Sequence, residues 1–181
     1  MTPQRALMKF RKGREVAYCT PETWARQHGF EPPAKWLDAI NRQGTRDVGR
    51  KEWYTTERNE FPNRQQHKLT WPETPGDCRT VGAAVVHAAA VFLRPIWDAE
   101  VFDAFGGFVP MPKIIVGRGR RRAGWFDVRA WQIGLTAGDA TKGTVLHEAA
   151  HALTPQDRHG PEFQRVVRHL YGRYLLATTT P

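Results

Sequence analysis

His147-Glu148-Ala149-Ala150-His151 sets two imidazoles and a carboxylate in the pattern H-E-x-x-H. On a helix, residues four apart lie one above the other on the same face, so both histidines can reach one metal ion. The glutamate projects from the adjacent face, where it can take a proton from a water activated by that metal. Zinc is the expected ion, because neutral imidazole is among its preferred ligands. Such chemistry needs a helix that stops on time, a third ligand and a rigid support for it.

The flanking residues supply candidates for each. The helix is expected to begin near Thr141–Thr144, with Val145, Ala149 and Ala152 facing the core. Thr154-Pro155 ends it, since the residue before proline is pushed out of the α region. His159 follows eight residues after His151 and is the favoured third ligand. It opens the run His159-Gly160-Pro161-Glu162-Phe163, a helix start with proline in the first turn and an acid at the positive end of the dipole. Asp157 and Glu162 are the alternatives. Extended H-E-x-x-H motifs often place their last ligand where Asp157 stands. Here Thr154 replaces their midway glycine, and no methionine follows to make a Met-turn. Three protein ligands leave zinc an open position for water, with Glu148 as general base that returns the proton to the leaving amine. Tyr171, Tyr174, His169 and Arg168 are the residues considered for stabilising the oxyanion, His169 reading more simply as a solvated side chain.

The elements that must position this site divide near residue 76. Residues 1–76 read as a basic, proline-punctuated extension, and residues 77–181 as the domain that carries the motif. In the first part, Thr20-Pro21 predicts a short helix closed by Gly29, and a second helix runs over 33–43 with Trp36, Leu37 and Ile40 on one face and Gly44 as its terminator. Residues 45–76 show no clear period and read as a long loop or a flexible arm. Trp24, Trp36 and Trp53 are expected to pack in a core rather than to stack on bases. In the second part, residues 77–93 read as an Ala- and Val-rich helix that Pro95 breaks, with His87 packed in its middle. A further short helix over 96–105 ends at Gly106-Gly107. Strands follow at 113–116, around Trp125 to Val128, and at 131–135, with a basic turn at 118–122 between the first two.

Composition bounds the rest. With 181 residues, 40% hydrophobic and 25% charged, the chain has the profile of one globular domain plus an extension. No uninterrupted apolar run reaches the ~20 residues of a membrane helix, and the N-terminus lacks the apolar stretch of a signal peptide. A cytoplasmic protein with no membrane partner is expected. Cys19 and Cys78 form no CxxC pattern and read as free thiols. The net charge of +9 admits nucleic acid as a partner through a basic surface, although heavy arginine use can also follow from genome composition.

The segment His147 to Leu153, followed by His159-Gly160-Pro161-Glu162-Phe163, resembles the SprT-like and WLM-type metallopeptidases. It is more similar still to a group of small HExxH zincin-type metallohydrolases of actinobacteria and their phages. These share a strand and basic turn like 114–121 and the HGPEF ending. The likeness covers roughly residues 80–175. It implies an α+β fold with a compact zincin-like core of the minimal gluzincin or SprT-like type. A small antiparallel sheet would pack on the HExxH helix and a C-terminal helix. It implies Zn2+ held by His147, His151 and His159, with Glu148 as the catalytic acid/base. The implied activity is that of a zinc metallopeptidase acting on a peptide or protein substrate. By analogy, 131–135 or 124–128 would form an edge strand that holds the peptide by β-augmentation. Two other readings stand beside it: a DNA-associated protease of SprT-like type, and a zinc-stabilised binding module without turnover.

Overall fold

The computed structural model describes residues 7–12, 14–42, 50–69, 81–117 and 123–177. The expected basic turn at 118–122, Gly44 and Cys78 lie outside them. The architecture is α+β, with six helices, a two-stranded hairpin and a three-stranded sheet among the described residues.

The N-terminal part is more ordered than its composition suggests. Strands β1 (Met8–Lys12) and β2 (Glu15–Cys19) pair antiparallel, a hairpin that the sequence reading did not anticipate. Helix α1 (Pro21–Gln27) has the expected cap, the Thr20 hydroxyl accepting from the Thr23 N–H. Gly29 follows it at φ 75°, a left-handed conformation suited to glycine. Helix α2 (Ala34–Asn41) buries Trp36, Ala39 and Ile40. Where a loop or arm was expected, residues Arg50–Glu60 form helix α3. Its apolar period is invisible because the helix buries only Trp53 and Glu57.

Helix α4 (Val81–Phe105) is continuous, so Pro95 does not split it into two. Proline removes the hydrogen bond to the carbonyl four residues earlier, that of Val91. Val91 is 48% exposed, so the orphaned carbonyl lies on a solvent-facing side where water can satisfy it. By length and composition α4 could cross a membrane. In the fold it is a packed helix, with Val85, Ala88, Ala89, Leu93, Ile96, Trp97 and Val101 buried. His87 is half-buried in its middle.

Strands β3 (Lys113–Val116), β4 (Gly124–Asp127) and β5 (Gln132–Leu135) appear where expected, but the sheet is mixed rather than antiparallel. Its order is β3-β5-β4, with β5 parallel to β3 and antiparallel to β4. The β4–β5 turn is fixed by Asp127, whose Oδ1 accepts from the N–H groups of Arg129 and Ala130. Trp131 then adopts φ 49°. It is held there by burial against Trp36, Trp97 and Phe126 and by its indole N–H donating to the Pro110 carbonyl. Trp36 thus packs residues before position 76 into the same core as the sheet. Helices α5 (Lys142–Leu153) and α6 (Pro161–Tyr171) pack on each other, and α5 also packs on α4, β4 and β5.

Candidate metal centre and cleft

The α5 helix starts at a Thr141 cap whose hydroxyl accepts from the Thr144 N–H at 3.1 Å, and it stops at Thr154, as the sequence predicts. Its motif face brings His147 and His151 together, and the following turn returns His159 to them. One ligand atom from each of the three lies within 4.8 Å of the others. His147 and His159 are buried, and His151 remains half-open. Phe163, the first buried residue of α6, supports the cluster by stacking on His151 at 4.2 Å between ring centroids. Gln164 donates to the His159 carbonyl at 2.9 Å.

The two rival third ligands are engaged elsewhere. The Asp157 carboxylate accepts from the N–H groups of Glu162 and Phe163, at 2.6 and 3.1 Å, and so caps α6. Glu162 is exposed and accepts from Gln156. Of the residues considered for the oxyanion, Arg168 forks onto Glu60, while His169 and Tyr174 both meet Glu100. Tyr171 is buried, its hydroxyl hydrogen shared between Glu57 and the Gly143 carbonyl.

The sequence reading missed the contribution of α3. Arg50, Tyr54 and Glu57 recur at helical spacing and face the site. Glu57, 1% exposed, accepts from His147 Nδ1 at 2.9 Å and from the Tyr171 hydroxyl at 2.7 Å, with Arg64 3.6 Å away. An ionised carboxylate only accepts, so Nδ1 carries a proton, and Nε2 is the nitrogen left for a metal when the ring is neutral. Burial pushes the Glu57 carboxyl up, but the His147 hydrogen bond and charge, Tyr171 and Arg64 outweigh it and hold its pKa below the usual value. Burial depresses the pKa of His147, yet Glu57 and the nearby Glu148 charge raise it overall. His151 is pushed well below the ordinary histidine range, first by burial and then by His147, His159 and the arginines Arg158 and Arg50. It is therefore neutral near pH 7, the form a metal requires.

These features suit zinc: three imidazoles converge, and one is oriented by a buried carboxylate, as ligating histidines generally are. A cleft of about 320 Å³ opens over His151 and His159, and Glu148, 6% exposed, contributes both to its wall and to that of the adjoining cavity lined by His147. Tyr54, Trp125, Phe126 and Val128 line the cleft with Arg50 and Arg158. The Tyr54 ring lies 5.9 Å from that of His147 and 5.3 Å from that of His159. Burial raises the Tyr54 pKa above its ordinary value, against the opposing effect of Arg50, so its hydroxyl stays a donor at neutral pH. β5 is the central strand, so 131–135 cannot serve as an edge. β4 is an edge strand, and Gly124 to Phe126 line the cleft. No protein-family model, curated protein or solved structure matches the chain. The family resemblance therefore stands on the motif residues alone.

Proposed function

We propose that the chain is a zinc-dependent hydrolase, and within that class a metallopeptidase, with a zincin-like core made of the β3–β5 sheet, α5 and α6. The convergence of His147, His151 and His159, with Glu148, His151 and His159 lining one cleft, is the observation that carries this reading. Zinc, when bound, supplies a Lewis acid that polarises a carbonyl and acidifies a water. The chain's own residues do the rest. Glu148 accepts the proton of the attacking water and passes it to the departing amine. Tyr54 donates its hydroxyl to the developing oxyanion. The edge strand β4 pairs with the substrate backbone and aligns the scissile bond. Glu57 and Tyr171 fix the His147 ring.

Metal analysis of the purified protein and turnover of a peptide library test this together. About one zinc per chain is expected, lost in His147→Ala, with cleavage abolished in Glu148→Gln although zinc is retained. Absence of zinc from wild type, or equal activity in wild type and Glu148→Gln, would refute it.

A further inference from the structure

The cleft is electrostatically lopsided. Of its lining residues, Arg50 and Arg158 are cationic, and Glu148 supplies the one carboxylate. Arg50 begins α3 and leans over the Tyr54 ring, 5.6 Å from its centroid. Arg158 is exposed, in the turn between α5 and α6. Arg42, Arg64, Arg168 and Arg173 each meet a carboxylate, whereas neither Arg50 nor Arg158 forms an ion pair among the described residues. A bound divalent metal adds positive charge at the same place. Trp125, Phe126, Val128 and Tyr54 add aromatic and aliphatic surface beside the two cations. A lysine or arginine side chain entering here meets like charge. A carboxylate meets two planar guanidinium forks that match its shape.

Resting on the peptidase reading above, we propose that the cleft selects peptides carrying a carboxylate beside the scissile bond, gripped by Arg50 and Arg158. With the backbone aligned on the β4 edge, alternate side chains point to one face, which sets one of them against this pair. The carboxylate belongs either to an Asp or Glu side chain or to the free C-terminus of a short peptide.

The test is equilibrium binding of fluorescent peptides to the zinc-loaded Glu148→Gln protein, read by anisotropy. One series moves a single Asp, or its Asn counterpart, through an otherwise neutral peptide. A second compares free with amidated C-termini, which separates the two sources. The charged member of a pair should bind about ten- to a hundredfold more tightly, the range of one or two charge-assisted hydrogen bonds. Arg50→Gln and Arg158→Gln should each remove most of that ratio. Arg158 adjoins His159, so zinc content is measured in each variant. If Arg158→Gln sheds metal, the Arg50 variant and the Asp/Asn comparison on the otherwise unaltered protein carry the result. Equal binding of acidic and neutral peptides overturns the proposal, as does a preference that survives both substitutions. Displacement of the acidic peptide by a DNA oligonucleotide at lower concentration than by the unlabelled peptide also overturns it, marking a polyanion surface instead. A clear carboxylate preference without cleavage of any peptide by wild type would sink the peptidase reading and leave the subsite standing.

Discussion

Glu57 offers a quantitative test of how the site is built. Its carboxylate is buried and accepts from His147 Nδ1 at 2.9 Å and from the Tyr171 hydroxyl at 2.7 Å, with Arg64 at 3.6 Å. Glu57→Ala removes the group that orients the His147 ring, takes away the Arg64 ion-pair partner and leaves the Tyr171 hydroxyl only the Gly143 carbonyl. Loss of such an outer-shell carboxylate weakens metal binding by about 10- to 100-fold. Removing one member of a buried charged cluster costs about 3–5 kcal/mol of folding stability. Glu57→Gln keeps an oxygen acceptor for Nδ1–H and loses only the charge, so its zinc affinity should fall by less than about tenfold. Competition against a chromophoric chelator at neutral pH gives the zinc Kd, and urea unfolding of the metal-free protein gives stability. The expected order is wild type, then Gln, then Ala in both measurements. The Glu57 pKa is lowered in the fold, so its stabilisation is present above the unfolded carboxyl value of about 4.3 and is lost as pH falls through the folded value. The acid-unfolding limb of the metal-free protein should therefore flatten in Glu57→Gln. A folded Glu57→Ala protein whose zinc Kd stays within twofold of wild type would refute the orienting role, whatever happens to its stability.

Two further predictions bear on the cleft. Tyr54→Phe should lower kcat by about 10²- to 10³-fold with zinc affinity nearly unchanged, and a kcat within threefold of wild type would remove Tyr54 from the oxyanion role. Gly124→Ala would bring its Cβ to 2.9 Å from both Glu148 Cγ and Thr144 Cγ2, so the side chains beside it, Glu148 among them, must shift. A fall in kcat/KM of roughly tenfold or more is expected there, by misplacement of the base. Gly138→Ala, with open space around its Cβ, serves as the control. Equal kinetics in the two alanine variants would show that Glu148 tolerates the displacement.

What the sequence could reveal depended on how locally each feature is specified. The α5 helix was legible because its cap, its motif and its proline stop lie within Thr141 to Pro155. The His159 turn was legible because Gly160-Pro161-Glu162 is a self-contained helix start. β-branched runs located the strands but could not give their partners. β5 enters between β3 and β4: the Asp127 turn joins it to β4, whereas its parallel pairing with β3 has no turn behind it and goes with packing on α4 and α5. Pro95 misled because the breaker rule takes no account of where the orphaned carbonyl points. Helix α3 was hidden for a different reason. Its stripe facing the site is Arg50, Tyr54 and Glu57, a helical period written in polar residues, which hydrophobic periodicity does not register.

The route by which α3 is held explains how a polar stripe keeps its place beside the histidine cluster. Residues 61–69 return from α3 to the start of α5 and lock there. The Lys142 N–H donates to the His67 carbonyl, Lys68 bridges to Thr141, and the Thr141 hydroxyl donates to Gln65. Gly143 admits the Arg64 backbone so closely that a Cβ would meet its carbonyl oxygen at 2.5 Å. These contacts use the first turn of α5, the same turn that fixes the height of His147 four residues on. Sliding α3 would therefore also disturb these contacts at the start of α5. At its other end α3 carries Arg50, half-exposed at the cleft. One helix thus joins a buried carboxylate behind the histidine cluster to a cation at the cleft. On the proposed function, metal retention should respond to Glu57 and substrate choice to Arg50, residues only two turns apart.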